Sequence, residues 1–122
     1  MTNNSHPDKK YLFVIQSAFD ERVLEASNSV LAASAFSSKV SVLFMGNGVM
    51  QITKQYTHPL YKDYQERYAA WKMYDIESIL VSLQSLELFG LEKTDCSIQG
   101  VTYFNQSEIK QIMHDSDIIF HF

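Results

Sequence analysis

The sequence predicts an α/β domain built on a mostly parallel, five-stranded sheet covered on both faces. Two observations carry this. Short apolar runs with β-branched members recur along the chain, as expected of strands buried on both sides. Between them lie segments whose apolar residues repeat every three to four positions, the period of a helix. The changeover is sharpest in residues 74–91 (YDIESILVSLQSLELFGL). There Ile79, Leu80 and Val81 read as a strand. Leu83, Leu86 and Gly90 then fall at helical spacing, and Gly90 suits a helix C-terminus where φ > 0 is wanted. Ser82 stands at the junction, on the carboxyl edge of the sheet, where open α/β folds collect ligands and reactive groups.

The remaining elements follow in order. Residues 1–10 (MTNNSHPDKK) form a polar tail, and residues 11–122 one domain. The first strand is 11–15 (YLFVI). Ser17 or Asp20 can cap the next helix, because a side-chain oxygen accepts its free first-turn N–H groups. From 21 to 36, Val23, Leu24, Ser27, Val30, Leu31 and Ser34 trace one helical face, with small residues that allow close packing. The second strand, 40–45 (VSVLFM), runs into Gly46-Asn47-Gly48, read as a tight turn whose glycines supply φ > 0. Residues 49–52 add a helical turn and 53–59 a polar loop bounded by Pro59.

Residues 61–73 have a helical pattern with Tyr61, Tyr64, Tyr68 and Trp71 on one narrow face. Such a stripe either packs on the chain's own sheet or meets another subunit, where Tyr and Trp serve as anchors. Residues 92–95 form a loop and 96–101 (CSIQGV) a weak fourth strand interrupted by Gly100. Gln106 or Ser107 caps a helix through His114, with Ile109, Ile112 and Met113 on its apolar face. Residues 117–122 (DIIFHF) make the fifth strand.

Composition narrows the function. The 122 residues, 46% hydrophobic and 20% charged, suit one soluble domain with a single core. A net charge of −4, with only Lys9 and Lys10 adjacent, argues against direct nucleic-acid binding. No run approaches the roughly 20 apolar residues of a membrane span, and the tail lacks the apolar core of a secretory signal. One cysteine, Cys96, excludes an internal disulfide framework and fits a reducing cytoplasm.

Little catalytic chemistry is legible. Gly46-x-Gly48 has only part of a dinucleotide-binding pattern, lacking the third glycine and the following acidic residue. His6, His58, His114 and His121 show no ligand spacing, so neither metal nor cofactor is expected. His121 reads as a hydrogen-bonded or edge residue, and His58 as an exposed loop residue open to a ligand or partner. Asp95 beside Cys96 opposes a thiolate by placing a second negative charge nearby. Ser82 without an adjacent base is an unactivated alcohol.

The opening YLFVI, GNGVMQI at 46–52 (pattern D-G-V-x-Q), YDIE at 74–77, SLELFGL at 85–91 and D-x-I-x-x-F at 117–122 together resemble the DsrE/DsrF-like family. The resemblance spans nearly the whole chain after the tail. It implies a three-layer α/β/α sandwich and a hetero-hexamer, two copies each of three related subunits. The sisters would be of the DsrH and DsrE type (TusB and TusD type). It also implies a persulfide relay, in which donor and acceptor proteins pass sulfur along cysteines toward 2-thiolation of the tRNA wobble uridine. In the sister subunit that reacts, the active cysteine lies eight residues before the glycine closing the strand-to-helix unit. Eight residues before Gly90 stands Ser82. Cys96 does not occupy that position and inherits no role. Asn47 replaces the family's usual aspartate, and Ser17-Ala18-Phe19-Asp20 lacks the glycine usual after the first strand.

The expectation is therefore a non-catalytic subunit with no catalytic residue of its own. The alternatives are a sulfurtransferase carrying persulfide on Cys96, a homo-oligomeric small-molecule-binding domain, or a subunit of a dissimilatory sulfur-oxidation complex.

Overall fold

Strand β1 (Tyr11–Ile15) lies between β2 (Val40–Phe44) and β5 (Ile118–His121). Beyond β2 come β3 (Ser78–Ser82) and the edge strand β4 (Thr102–Phe104). The order is β4-β3-β2-β1-β5, and every pairing is parallel. The computed structural model describes residues 9–18, 22–54, 61–74, 76 and 78–122, without the side chains of 23 and 61–64.

Connection handedness explains the layers. From β1 the chain steps outward to β4 through α1 (Arg22–Ser34), α2 (Tyr61–Trp71) and α3 (Leu83–Leu88), then returns to β5 through α4 (Gln106–Asp115). Right-handed crossovers put the first three helices on one face; reversing the step puts α4 on the other. The packing agrees. Phe13, Ile15, Val42, Phe44, Ile79 and Val81 pack with Ala26, Val30, Tyr68, Trp71 and Leu86. The alternate residues Leu12, Val14, Leu43 and Leu80 pack with Ile109. The result is a helix/sheet/helix sandwich, with a sheet that is wholly rather than mostly parallel.

Several expectations need correction. Helix α1 buries Ala26, Ser27, Val30 and Ala33, whereas Leu24 is exposed. Leu24 lies rather more than half a turn from Ala26, and the alanines let the helix lie close to the sheet. Residues 46–52 form a 3-10 helix, and only the first of its two glycines has positive φ, at 55°. Gly48 is needed for space instead: a Cβ there would stand 2.0 Å from the Ile15 carbonyl oxygen.

The fourth strand lies later than residues 96–101. Those residues are irregular apart from one antiparallel bridge between Cys96 and Thr53, and Gly100 turns the chain at φ 79°. The strand is Thr102–Phe104, whose β-branched and aromatic residues pair with Leu80, Val81 and Ser82. Helix α4 is capped by Asn105, not Gln106 or Ser107. Asn105 Oδ1 accepts from the Glu108 N–H at 2.9 Å, and Glu108 Oε1 accepts from the Asn105 N–H at 2.9 Å, a reciprocal capping box. Gly90, at φ 66°, closes α3 as expected, with Gly90 N–H on Glu87 O at 3.0 Å and Leu91 N–H on Leu86 O at 2.8 Å.

Candidate functional site

Ser82 ends β3 and caps α3. Its Oγ accepts from the Ser85 N–H at 3.2 Å and from the Ser85 hydroxyl at 3.0 Å. Ser85 Oγ in turn accepts from the Gly46 N–H at 2.8 Å. Three hydrogen bonds thus join the strand end, the first turn of α3 and the loop after β2. Ser82 is only 1% exposed. Its hydroxyl satisfies a helix terminus, which a serine does well, and no base among these partners could activate it as a nucleophile. The corner is at the carboxyl edge, as the sequence indicated. The Gly46 partner of Ser85, 39 residues earlier in the chain, was not legible.

A second polar centre lies on the same edge, at Gln51. Its carboxamide nitrogen donates to the carbonyls of Ser17 at 2.5 Å and Ala18 at 2.9 Å, while its oxygen accepts from the Tyr68 hydroxyl. The Gln51 backbone carbonyl accepts from Gln65 Nε2 at 2.6 Å. Gln65 Oε1 lies 2.5 Å from Ser97 Oγ, and Ser97 N–H donates to Ile52 O at 2.7 Å. Residues from four separated segments meet here. Only the final glutamine of the 46–52 motif could have signalled it from sequence.

Cys96 is half-buried beside Tyr103, Asp95 and Lys54. Burial is the largest influence and pushes the thiol up; Asp95 adds to the rise, while Tyr103 and Lys54 oppose it. Tyr103 is itself pushed up to about 12 by burial and by the neighbouring thiol. Lys93 Nζ sits 5.1 Å from the Tyr103 ring centroid. The surroundings therefore favour the protonated thiol, the opposite of what a sulfur carrier needs.

The aromatic stripe divides. Tyr68 and Trp71 are fully buried, 4.7 Å apart between ring centroids and both against Phe44, so they belong to this chain's core and offer a partner no surface. The Trp71 indole N–H has no hydrogen-bond partner among the described residues. The Tyr61 and Tyr64 side chains lie outside the described residues, as do His6 and His58. His114 is exposed in the last turn of α4, and exposed His121 places Nδ1 3.4 Å from Gln16 Oε1. Among the described residues no three His, Cys, Asp or Glu side chains are placed to share a metal ion. None of their helices is long and apolar enough to cross a membrane.

The surface carries an exposed aromatic patch. Phe36, 65% exposed, lines one groove with Tyr74 and Ile76, and a second of about 200 Å³ with Tyr11, Phe13 and Phe120. Among the described residues no charged side chain lines either groove.

The chain is similar to known proteins in sequence and in fold. A TusC homolog from Vibrio vulnificus (strain CMCP6) is 35% identical over 94 residues, covering 75% of this chain and 79% of that protein. One from Aliivibrio fischeri is 29% identical over 114 residues, covering 90% and 96%. Among solved structures, the ychN protein from E. coli superposes with a TM-score of 0.76 at 14% identity, over 93% of this chain and 99% of that one. A protein of unknown function from Methanobacterium thermoautotrophicum gives 0.70 at 15% identity, with coverage of 93% and 99%. These two establish the likeness of fold. The model of the DsrE/DsrF-like family matches residues 9–122, and the chain belongs to that family.

Proposed function

We propose that this chain is a non-catalytic subunit of a cytoplasmic sulfur-relay complex serving 2-thiolation of the tRNA wobble uridine. The observation that carries the reading is Ser82. It stands where the family resemblance puts a reacting sister's cysteine, and it is a buried helix cap. A hydroxyl there cannot hold a persulfide. The similarity to TusC homologs supports the pathway. The exposed aromatic patch around Phe36 supports assembly, since interface cores are enriched in aromatics. In this reading the partners are TusB- and TusD-type sisters in a hetero-hexamer, with Tyr61 and Tyr64 as further contact candidates. Nucleic acid and sulfur donors are reached through the complex.

The test is co-expression with the two sister subunits, native mass measurement, and loading with a persulfide donor. A mixed assembly with sulfur trapped on a sister supports the reading. Sulfur trapped on Cys96, and lost in Cys96→Ser, would replace it with a carrier role.

A further inference from the structure

Gln51 is the residue of the 46–52 motif that the relay reading leaves unused. Its side chain is buried, yet it joins three segments without burying a charge. A primary amide can do this because it offers two N–H donors and an acceptor in one plane. Both donors go to the loop after β1, on the carbonyls of Ser17 and Ala18. The acceptor takes the hydroxyl of Tyr68 on α2. The other side of the loop is tied as well: the N–H groups of Gln16 and Ser17 donate to Phe122 O at 2.7 and 3.2 Å. Gln16 also borders the Ser82 corner, since a Cβ on Gly46 would stand 3.8 Å from Gln16 O and the Gly46 N–H bonds Ser85.

We propose that Gln51 is the positioning residue of this carboxyl-edge rim. Its two N–H donors hold Ser17 and Ala18, and through them the adjoining Gln16, against the sheet, so the rim near Ser82 is a preformed surface for the sister subunit. The role of the sister rests on the relay reading; the holding of the loop does not. Replacing the amide by a group without N–H leaves two backbone carbonyls without their donors, and the loop loosens locally.

The test is residue-resolved amide exchange on the chain and on Gln51→Met, Gln51→Glu and Tyr68→Phe. The Gln16 and Ser17 amides are expected to be protected in the unsubstituted chain. They should exchange about tenfold faster in both Gln51 variants, with Val14 and Leu43 unchanged. Tyr68→Phe, which keeps both donors, should leave the loop as it was. Gln51→Met removes the donors without adding a charge, while Gln51→Glu retains an acceptor for Tyr68 and turns an oxygen toward the Ser17 and Ala18 carbonyls. Free exchange of Gln16 and Ser17 in the unsubstituted chain overturns the proposal even if no Gln51 variant folds. So does acceleration spread evenly over the strands, or equal loosening in Tyr68→Phe. Mixed with the sisters, Gln51→Met should assemble about tenfold more weakly; undiminished assembly with a loosened loop overturns the rim's role. Failure of the unsubstituted chain to assemble would count against the relay reading, leaving the exchange result intact.

Discussion

Gly48 and Ile15 meet so closely that a Cβ on Gly48 would fall 2.0 Å from the Ile15 carbonyl oxygen. That oxygen is already fixed, since it accepts the Met45 N–H at 3.1 Å. Neither side is a flexible side-chain tip, so Gly48→Ala must shift backbone at the ends of β1 and β2. We expect it to cost roughly 3 kcal/mol, at the upper end of overpacking. Gly90 differs: it has φ 66° but nothing within 4 Å of a Cβ. Gly90→Ala should therefore cost only the left-handed penalty, about 1–2 kcal/mol. Urea unfolding of the two variants checks the ranking, and equal losses would contradict it.

Removing the Ser82 hydroxyl should weaken the join between β3 and α3. Ser82→Ala deprives the Ser85 N–H and the Ser85 hydroxyl of their acceptor, which should cost about 1–2 kcal/mol. Ser82→Cys should restore little sulfur transfer, because the position is almost fully buried and a donor must reach the thiol. Persulfide mass shifts on that variant provide the measurement, and robust loading at residue 82 would defeat the expectation.

These two positions show what the sequence could reveal. The β1, β2 and β3 runs were legible because strands buried on both faces are almost continuously apolar. Ser82 was legible as a junction because the apolar period changes there. The fourth strand was misplaced because it is three residues long, at a sheet edge and only partly buried, so neither length nor hydrophobicity marks it. Gln51 was not legible as a buried hub. Its side-chain partners lie 17, 33 and 34 residues away, and nothing local distinguishes a buried glutamine from an exposed one.

Cys96 should react slowly and make stability pH-dependent on the alkaline side. Burial raises its pKa in the folded chain, so the folded state holds the thiol proton more tightly than the unfolded state. The resulting stabilisation is complete below the ordinary thiol pKa of about 8.5 and is lost as pH rises through the folded value. Tyr103, pushed up to about 12, acts in the same direction at higher pH. Cys96→Ser should therefore flatten the decline in urea midpoint that begins near pH 8.5. Iodoacetamide should also alkylate the native thiol more slowly than the unfolded one. Faster native alkylation would indicate a thiolate and revive the carrier role.

Charge placed on the aromatic residues should separate core from contact surface. Tyr68 and Trp71 are fully buried, so Tyr68→Asp leaves a carboxyl among Phe44, Trp71 and Gln51, and insoluble or unfolded protein is expected. The Phe36 side chain instead stands exposed in a groove with Tyr74. Phe36→Asp removes little beyond an edge-on contact with the Tyr11 ring, about 1 kcal/mol, yet it puts a charge where an interface core would exclude it. Thermal midpoint and mixed-assembly mass, read on the same preparation, should give a near-native midpoint with lost assembly for Phe36→Asp. Tyr64→Asp should follow Phe36→Asp if that residue is a contact, and Tyr68→Asp if it is core. Full assembly of Phe36→Asp would remove this patch from the interface and shift the search to the carboxyl-edge rim.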